Sequence, residues 1–284
     1  MDVEIAEYSG YCFGVKRALG LARKALKERT PGSKNVYTLG SIIHNPGVVR
    51  ELSENGLISV KDIEDIGEES IFVVRSHGMP PNAIKALKKK NIKIIDATCP
   101  FVKKAQSRTR RLSKNGFHVI VIGDSNHPEV CGIREQVDQN GIDVLSSSKD
   151  LKSLGQKRKI GVVVQTTQTM EKLRDLTCRL LDKTKELYII NTICDTTKNR
   201  QESVRDLSKR TDVMLVVGGK NSANTTHLAN ISRENNPNTY HIENKTAIKS
   251  EWFKKAKRVG ISGGASTPET DILEIKKRIE DMKF

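Results

Sequence analysis

Three of the five cysteines in this 284-residue chain occupy the same kind of position. Cys12 lies in "SGYCFGVKRA", Cys99 in "DATCPFVKKA" and Cys194 in "NTICDTTKNR", each followed by a helix-forming run. A thiol at a helix N-terminus meets the positive end of the helix dipole, which favours the thiolate that metals bind. Three such thiolates brought together would make a metal site. Structural zinc wants a fourth protein ligand, and neither remaining cysteine repeats the pattern. Cys131 follows "HPEV", and Cys178 sits in "KLRDLTCRLL" at helical core spacing, so both read as structural. A [4Fe–4S] cube held by three cysteines keeps one iron without a protein ligand, and an open coordination position marks a catalytic site.

Polar loops surround these positions. His44, His77 and His127 stand at or just beyond strand-like segments, with Thr166, Ser222, Asn224 and Ser266 in matching loops. Such donors, together with helix N-termini, suit an anion as highly charged as a diphosphate. Glu129, in "NHPEV", is the carboxylate nearest this set in the sequence. Beside a diphosphate its proton would be held more tightly, as a general acid requires. "VVGGKNS" is not a P-loop, since Met214 stands where the first glycine should be, and no GxGxxG follows the first strand. ATP and NAD are therefore poor candidates.

The elements that must position these residues repeat. Each cysteine is followed by a helical pattern and then by a strand ending in glycine: "NVYTLG" at Gly40, "GFHVIVIG" at Gly123 and "DVMLVVG" at Gly218. A polar loop, a helical stretch and a second apolar strand come next: "SIFVVRSHG", "KIGVVVQTT" and "KRVGISGGAS". Runs such as "IFVV" and "GVVV" lack polar alternation, as in parallel strands covered on both faces. A third strand, "IKIIDATCP" or "LYIINTICD", leads into the next cysteine. After the third repeat the chain stops, and the matching segment is the N-terminal "VEIAEYSGYC". The expectation is an α/β fold of three pseudo-threefold-related units with parallel sheets. The units are 14–98 (Cys12 at its entry), 99–193, and 194–284 joined by 1–13, the N-terminal strand completing the third. In such folds ligands sit beyond the carboxyl ends of the strands, where the three cysteines stand.

Composition bounds the rest. No apolar run is long enough for a membrane span, and "MDVEIAEYSG" lacks the basic start of a signal peptide. Five scattered cysteines do not make a secreted disulfide framework. A cytoplasmic protein with reduced thiols is expected. The net charge of +15 raises the question of an anionic partner or substrate, beside the plainer reading of a basic solvated surface, while 4% aromatics and one Trp leave little for single-strand stacking.

The motifs "GYCFGVKRA", "IHN", "RSHG", "DATCPFV", "HPEV", "VVQTT", "NTICDTT", "KNSANT" and "GASTP" span residues 10–268. In that order they resemble the 4-hydroxy-3-methylbut-2-enyl diphosphate reductases, iron–sulfur enzymes of non-mevalonate isoprenoid synthesis. The resemblance implies a three-lobed α/β trefoil with Cys12, Cys99 and Cys194 holding one central [4Fe–4S] cluster. It implies diphosphate contacts from His44, His77, Ser222, Asn224 and Ser266, with Ala223 contributing through its backbone. His127 would also reach the substrate, and Glu129 with Thr166 would deliver protons. The implied reaction removes the allylic hydroxyl with two electrons and two protons, giving isopentenyl or dimethylallyl diphosphate. An acidic donor such as ferredoxin or flavodoxin with its reductase would supply the electrons and account for the basic charge; no nucleic acid or membrane partner is expected. Two competing readings use the same cysteines: an iron–sulfur sensor that binds nucleic acid, and a zinc hydrolase of phosphorylated substrates. Two departures from the family pattern are Ala223, where some relatives have serine, and Cys131, where an acidic residue is usual.

Overall fold

The structure is a computed structural model that describes residues 1–29 and 35–282. In chain order the elements begin β1 (Asp2–Ile5), α1 (Phe13–Lys27), β2 (Val36–Leu39), α2 (Pro46–Glu54), β3 (Leu57–Val60), β4 (Ile71–Val74), α3 (Pro81–Lys89) and β5 (Lys93–Asp96). The middle of the chain forms α4 (Pro100–Lys114), β6 (His118–Ile122), α5 (Pro128–Arg134), β7 (Ile142–Leu145), β8 (Lys157–Val164), α6 (Met170–Leu180) and β9 (Thr184–Ile189). The last part forms α7 (Asp195–Ser208), β10 (Val213–Val217), α8 (Ala223–Asn235), β11 (Thr239–Ile242), β12 (Arg258–Gly263) and α9 (Glu269–Glu280).

The strands make three four-stranded sheets in the orders β3-β2-β4-β5, β7-β6-β8-β9 and β11-β10-β12-β1. Every pairing is parallel. The three orders are one topology, with β1 taking the place that β5 and β9 hold in the other sheets. Asp2 pairs with Arg258 and Ile5 with Ile261, so the N-terminal strand completes the third sheet as its sequence match implied. The edge strands β3, β7 and β11 are a fourth strand per sheet that the apolar pattern did not reveal. The chain forms two compact units. Residues 1–15, 44–48 and 195–284 hold the sheet of β1, and residues 16–43 and 49–194 hold the other two sheets.

The central strands carry uninterrupted apolar runs, as in "IFVV" of β4 and "VMLVV" of β10, because both faces are covered there. In β10, Val213, Leu215 and Val217 pack with Ile272, Ile275 and Ile279 of α9, while Met214 and Val216 pack with Val204 and Leu207 of α7 and Leu228 and Ile231 of α8. In β6 and β8, Ile120, Ile122, Ile160 and Val162 meet Leu173, Leu176 and Leu180 of α6. Val119, Val121 and Val163 meet Ala105 and Leu112 of α4 and Val130 and Ile133 of α5. Full burial of each such side chain contributes about 1.5–3 kcal/mol. A period-two strand pattern is thus read twice, once by each layer of helices.

The repeat extends to the main chain at the carboxyl ends of the strands. Gly40, Gly123 and Gly218 each donate their N–H to the last residue of an edge strand: Val60 (2.9 Å), Leu145 (3.1 Å) and Ile242 (2.9 Å). Gly218 has φ +143°, and a Cβ there would stand 2.6 Å from the Thr267 hydroxyl oxygen, so this turn accepts glycine only.

Candidate functional site

The cysteines occupy one station three times. Cys12 N–H donates to the Ala265 carbonyl (3.1 Å), Cys99 N–H to Ser76 (2.9 Å) and Cys194 N–H to Thr166 (3.0 Å). Each acceptor lies in the loop after the second strand of its repeat, β12, β4 or β8. Each thiol is half-buried, outside any disulfide, and immediately precedes a helix: α1, α4 or α7. Cys12 Sγ accepts from the Val15 N–H (3.4 Å), a bond that strengthens when the sulfur is a thiolate. Soft donors that remain accessible at three helix starts suit an iron–sulfur group. Cys131 is half-buried in α5 and its thiol donates to the Ser125 carbonyl (3.6 Å). Cys178 departs from expectation. It lies in α6 but is exposed, because the face packed on the sheet is formed by Leu173, Leu176, Thr177 and Leu180.

In the unit that contains Cys99 and Cys194, the acid–base chemistry centres on Glu129. This carboxylate lies in the first turn of α5, which starts with Pro128 at N1 and is capped by His127. His127 Nδ1 accepts the Glu129 N–H (3.2 Å), so the ring is neutral with its proton on Nε2, which is left as the ring's donor. The His77 and His127 rings meet edge to face with centroids 5.4 Å apart. Glu129 is 2% exposed. One carboxylate oxygen accepts the Thr166 N–H (2.7 Å) and the other accepts the Thr166 hydroxyl (2.8 Å). These bonds favour the anion, but burial outweighs them and raises the Glu129 pKa to about 7. A carboxylic acid that keeps its proton near neutral pH is equipped to give it away. Thr166 accepts from Cys194 N–H with its carbonyl while both of its donors hold Glu129, so one residue links the acid to the cysteine turn.

In the other unit, the polar residues predicted to hold an anion gather around the start of α8. Ser222 caps that helix, its hydroxyl accepting the Thr225 N–H (3.4 Å), and Ala223 is the first helical residue. The cap leaves the N–H groups of Ala223 and Asn224 among those a helix start cannot satisfy internally. Asn224 is 4% exposed, yet neither polar atom of its carboxamide has a hydrogen-bond partner. A buried unpaired amide costs about 1–3 kcal/mol, a cost removed when a ligand supplies the partner. Ser266 differs from the simple expectation of a free donor, since its hydroxyl donates to the His44 carbonyl (2.9 Å). The same carbonyl would lie 3.0 Å from a Cβ at Gly219, so glycine lets the loop before α8 approach the His44 main chain. Asn45, which sequence reasoning passed over, accepts the Val48 N–H (3.0 Å) and caps α2 directly after His44; Asn-Pro ahead of an apolar run was its signal.

The sequence matches the LytB protein family over residues 3–280. The chain belongs to that family. A relative from Aquifex aeolicus (strain VF5), named 4-hydroxy-3-methylbut-2-enyl diphosphate reductase, is 44% identical over 99% of this chain and 97% of its own length. Another of that name from Geobacter sp. (strain M21) is 44% identical over 98% and 97%. A solved structure of (E)-4-hydroxy-3-methyl-but-2-enyl diphosphate reductase, the terminal enzyme of the non-mevalonate pathway, shares 44% identity. It matches with a TM-score of 0.72 over 99% of this chain and all of that one. The Plasmodium falciparum E-1-hydroxy-2-methyl-but-2-enyl-4-diphosphate reductase matches with a TM-score of 0.94 at 26% identity, over 100% of this chain and 89% of that one. Membership in the LytB family agrees with the resemblance drawn from the motifs. Among the described residues no helix is long and apolar enough to cross a membrane.

Proposed function

We propose that this protein reduces 4-hydroxy-3-methylbut-2-enyl diphosphate to isopentenyl and dimethylallyl diphosphate, the terminal step of non-mevalonate isoprenoid precursor synthesis. The relatives' names and near-complete shared length support the reaction. The observation that carries the mechanism is Glu129: a buried carboxyl with a pKa near 7, tied through Thr166 to the Cys194 turn. In this reading Cys12, Cys99 and Cys194 hold one [4Fe–4S] cluster with an open iron, which supplies Lewis acidity and a path for two electrons.

The chain's own residues bind, orient and protonate. His44, His77, Ser222, the Ala223 backbone, Asn224 and Ser266 hold the diphosphate, the unpaired Asn224 carboxamide gaining the partners it lacks in the free protein. Ser266 turns its hydroxyl from the His44 carbonyl to a phosphate oxygen. His127, neutral with the proton on Nε2, donates to the substrate without adding a charge. Glu129 gives a proton as the allylic C–O bond breaks, so that oxygen leaves as water; Thr166 keeps the acid aimed and relays through its hydroxyl. The second proton goes to carbon, at one end of the allylic system for each product. Electrons come from an acidic one-electron donor, a ferredoxin or a flavodoxin with its reductase. Its encounter with a chain of net charge +15 is steered by opposite charge. The reading places the protein in the cytoplasm.

The test is anaerobic purification of wild type and Cys99→Ser, with iron, sulfide and Mössbauer spectra before and after addition of substrate. The expected result is about four irons per chain in the wild type, one of them distinct and perturbed by substrate, and loss of iron and turnover in the variant. Zinc in place of iron, or an unchanged Cys99→Ser protein, would overturn it.

A further inference from the structure

We propose that Arg200 is a positioning residue for Cys12, setting the main chain that presents this thiol to the cluster; the proposal rests on Cys12 being a cluster ligand. Arg200 stands in the buried stripe of α7 with Thr197, Gln201, Val204 and Leu207, and is 3% exposed. Its guanidinium spans three backbone carbonyls. Nη1 donates to Tyr8 (2.9 Å) and to Gly263 (3.0 Å), and Nη2 donates to Gly10 (2.6 Å). Tyr8 and Gly10 belong to the loop that carries Cys12, and Gly263 ends β12. The fork therefore fastens the cysteine loop to the strand end beside it. Two further bonds close the same seam: Gly263 N–H donates to the Ser9 hydroxyl (3.2 Å) and Cys12 N–H to the Ala265 carbonyl (3.1 Å).

The residue type is chosen for this task. A planar guanidinium reaches several acceptors in a fixed arrangement, whereas an ammonium is a point charge on a flexible stem. It also places a permanent positive charge in the interior, on the carbonyl of Gly10 two residues before Cys12 in the chain, and nearby positive charge raises the potential of an iron–sulfur group. The same device appears independently before Cys99. There Arg17 of α1 donates to the carbonyls of Asp96 (3.1 Å) and Thr98 (3.2 Å), the residues that lead into that cysteine. In each case an arginine from a helix that follows one cysteine grips the backbone leading into another.

The experiment compares wild type, Arg200→Met and Arg200→Lys as full chains reconstituted anaerobically. The readouts are the rate of iron release to a ferrous chelator and the midpoint potential. Asn236→Ala is the control: Asn236 Nδ2 donates to the Thr211 carbonyl (2.7 Å), a part-buried polar bond in the same unit that ties the end of α8 to the turn before β10. Arg200→Met is expected to release iron at least about tenfold faster and to show a lower potential, as losing a supporting contact does at metal sites. Arg200→Lys is expected to release iron faster than wild type but keep its potential, because charge survives while the fork is lost. Asn236→Ala should match wild type in both. Wild-type iron release in Arg200→Met, or equal acceleration in Asn236→Ala, would overturn the proposal. If Arg200→Met does not fold, amide hydrogen exchange of residues 8–12 in Arg200→Lys apoprotein decides. Exchange about tenfold faster than wild type supports the proposal, and unchanged exchange refutes it. Full iron with wild-type release in Cys12→Ser would sink the ligand reading instead, and the apoprotein exchange would still report whether Arg200 holds the loop.

Discussion

Glu129→Gln separates what the carboxyl does for catalysis from what it costs the fold. The amide keeps the shape: its oxygen can accept the Thr166 N–H and its NH2 can donate to the Thr166 hydroxyl, which reverses direction. In the wild type, burial raises the Glu129 pKa from 4.5 to about 7. The folded protein thus holds a proton that the unfolded chain has already released between those two values. This contribution to stability is fully present below pH 4.5 and is lost as pH rises through 7. At one pKa unit per 1.36 kcal/mol, the loss is on the order of 3 kcal/mol. Urea unfolding of both apoproteins at pH 4.5, 6 and 8 measures it, since their difference in stability cancels every other titrating group. The wild type should weaken relative to Glu129→Gln by that amount across the range. In turnover, the wild-type rate should fall as pH climbs past 7 and the acid empties. Glu129→Gln should lose roughly 10²–10⁴-fold in kcat together with that limb of the profile. A variant within tenfold of wild type, or one that keeps the limb, would refute the assignment of Glu129 as the acid.

Asn224→Ala should raise KM for the diphosphate substrate by roughly 10- to 100-fold, from one lost hydrogen bond to a charged group. It should not lower apoprotein stability, because the carboxamide has no partner to lose; a lower thermal midpoint would count against the reading. Gly263→Ala should destabilise the fold by about 1–3 kcal/mol in chemical denaturation, since the new methyl would stand 2.3 Å from Ile272 Cδ1 and 3.1 Å from the Gly10 nitrogen. The bimolecular rate of electron transfer from reduced ferredoxin should fall by about tenfold between low salt and ~0.5 M, as screening removes steering. A rate indifferent to salt in stopped-flow mixing would exclude charge as the docking force.

Much of the architecture was legible because the residues that carry chemistry are rare and recur. A cysteine between an apolar strand and a helix is conspicuous three times over, and the strand "VEIAE" found its place by what the third repeat lacked. The edge strands β3, β7 and β11 were not legible. In β3, for instance, Leu57 and Val60 are buried while Ile58 and Ser59 face outward, a pattern too short to separate strand from loop without its partner β2. Cys178 was misplaced by one helical step: Thr177 takes the buried face through a hydroxyl bond to the Leu173 carbonyl (2.7 Å), which turns the thiol to solvent. The raised pKa of Glu129 depends on what covers it, and in sequence it resembles any carboxylate at a helix start, where the dipole favours the opposite shift. Thr166 was legible as a repeat position but not as the link to Cys194, because that link is a main-chain carbonyl and any residue type supplies one. Arg200 offered a signal that periodicity alone overlooks. A strong cation at the stripe position shared with Val204 and Leu207 is either a mistake in the helix assignment or a residue with carbonyls to hold, and the carbonyls are those of the Cys12 loop.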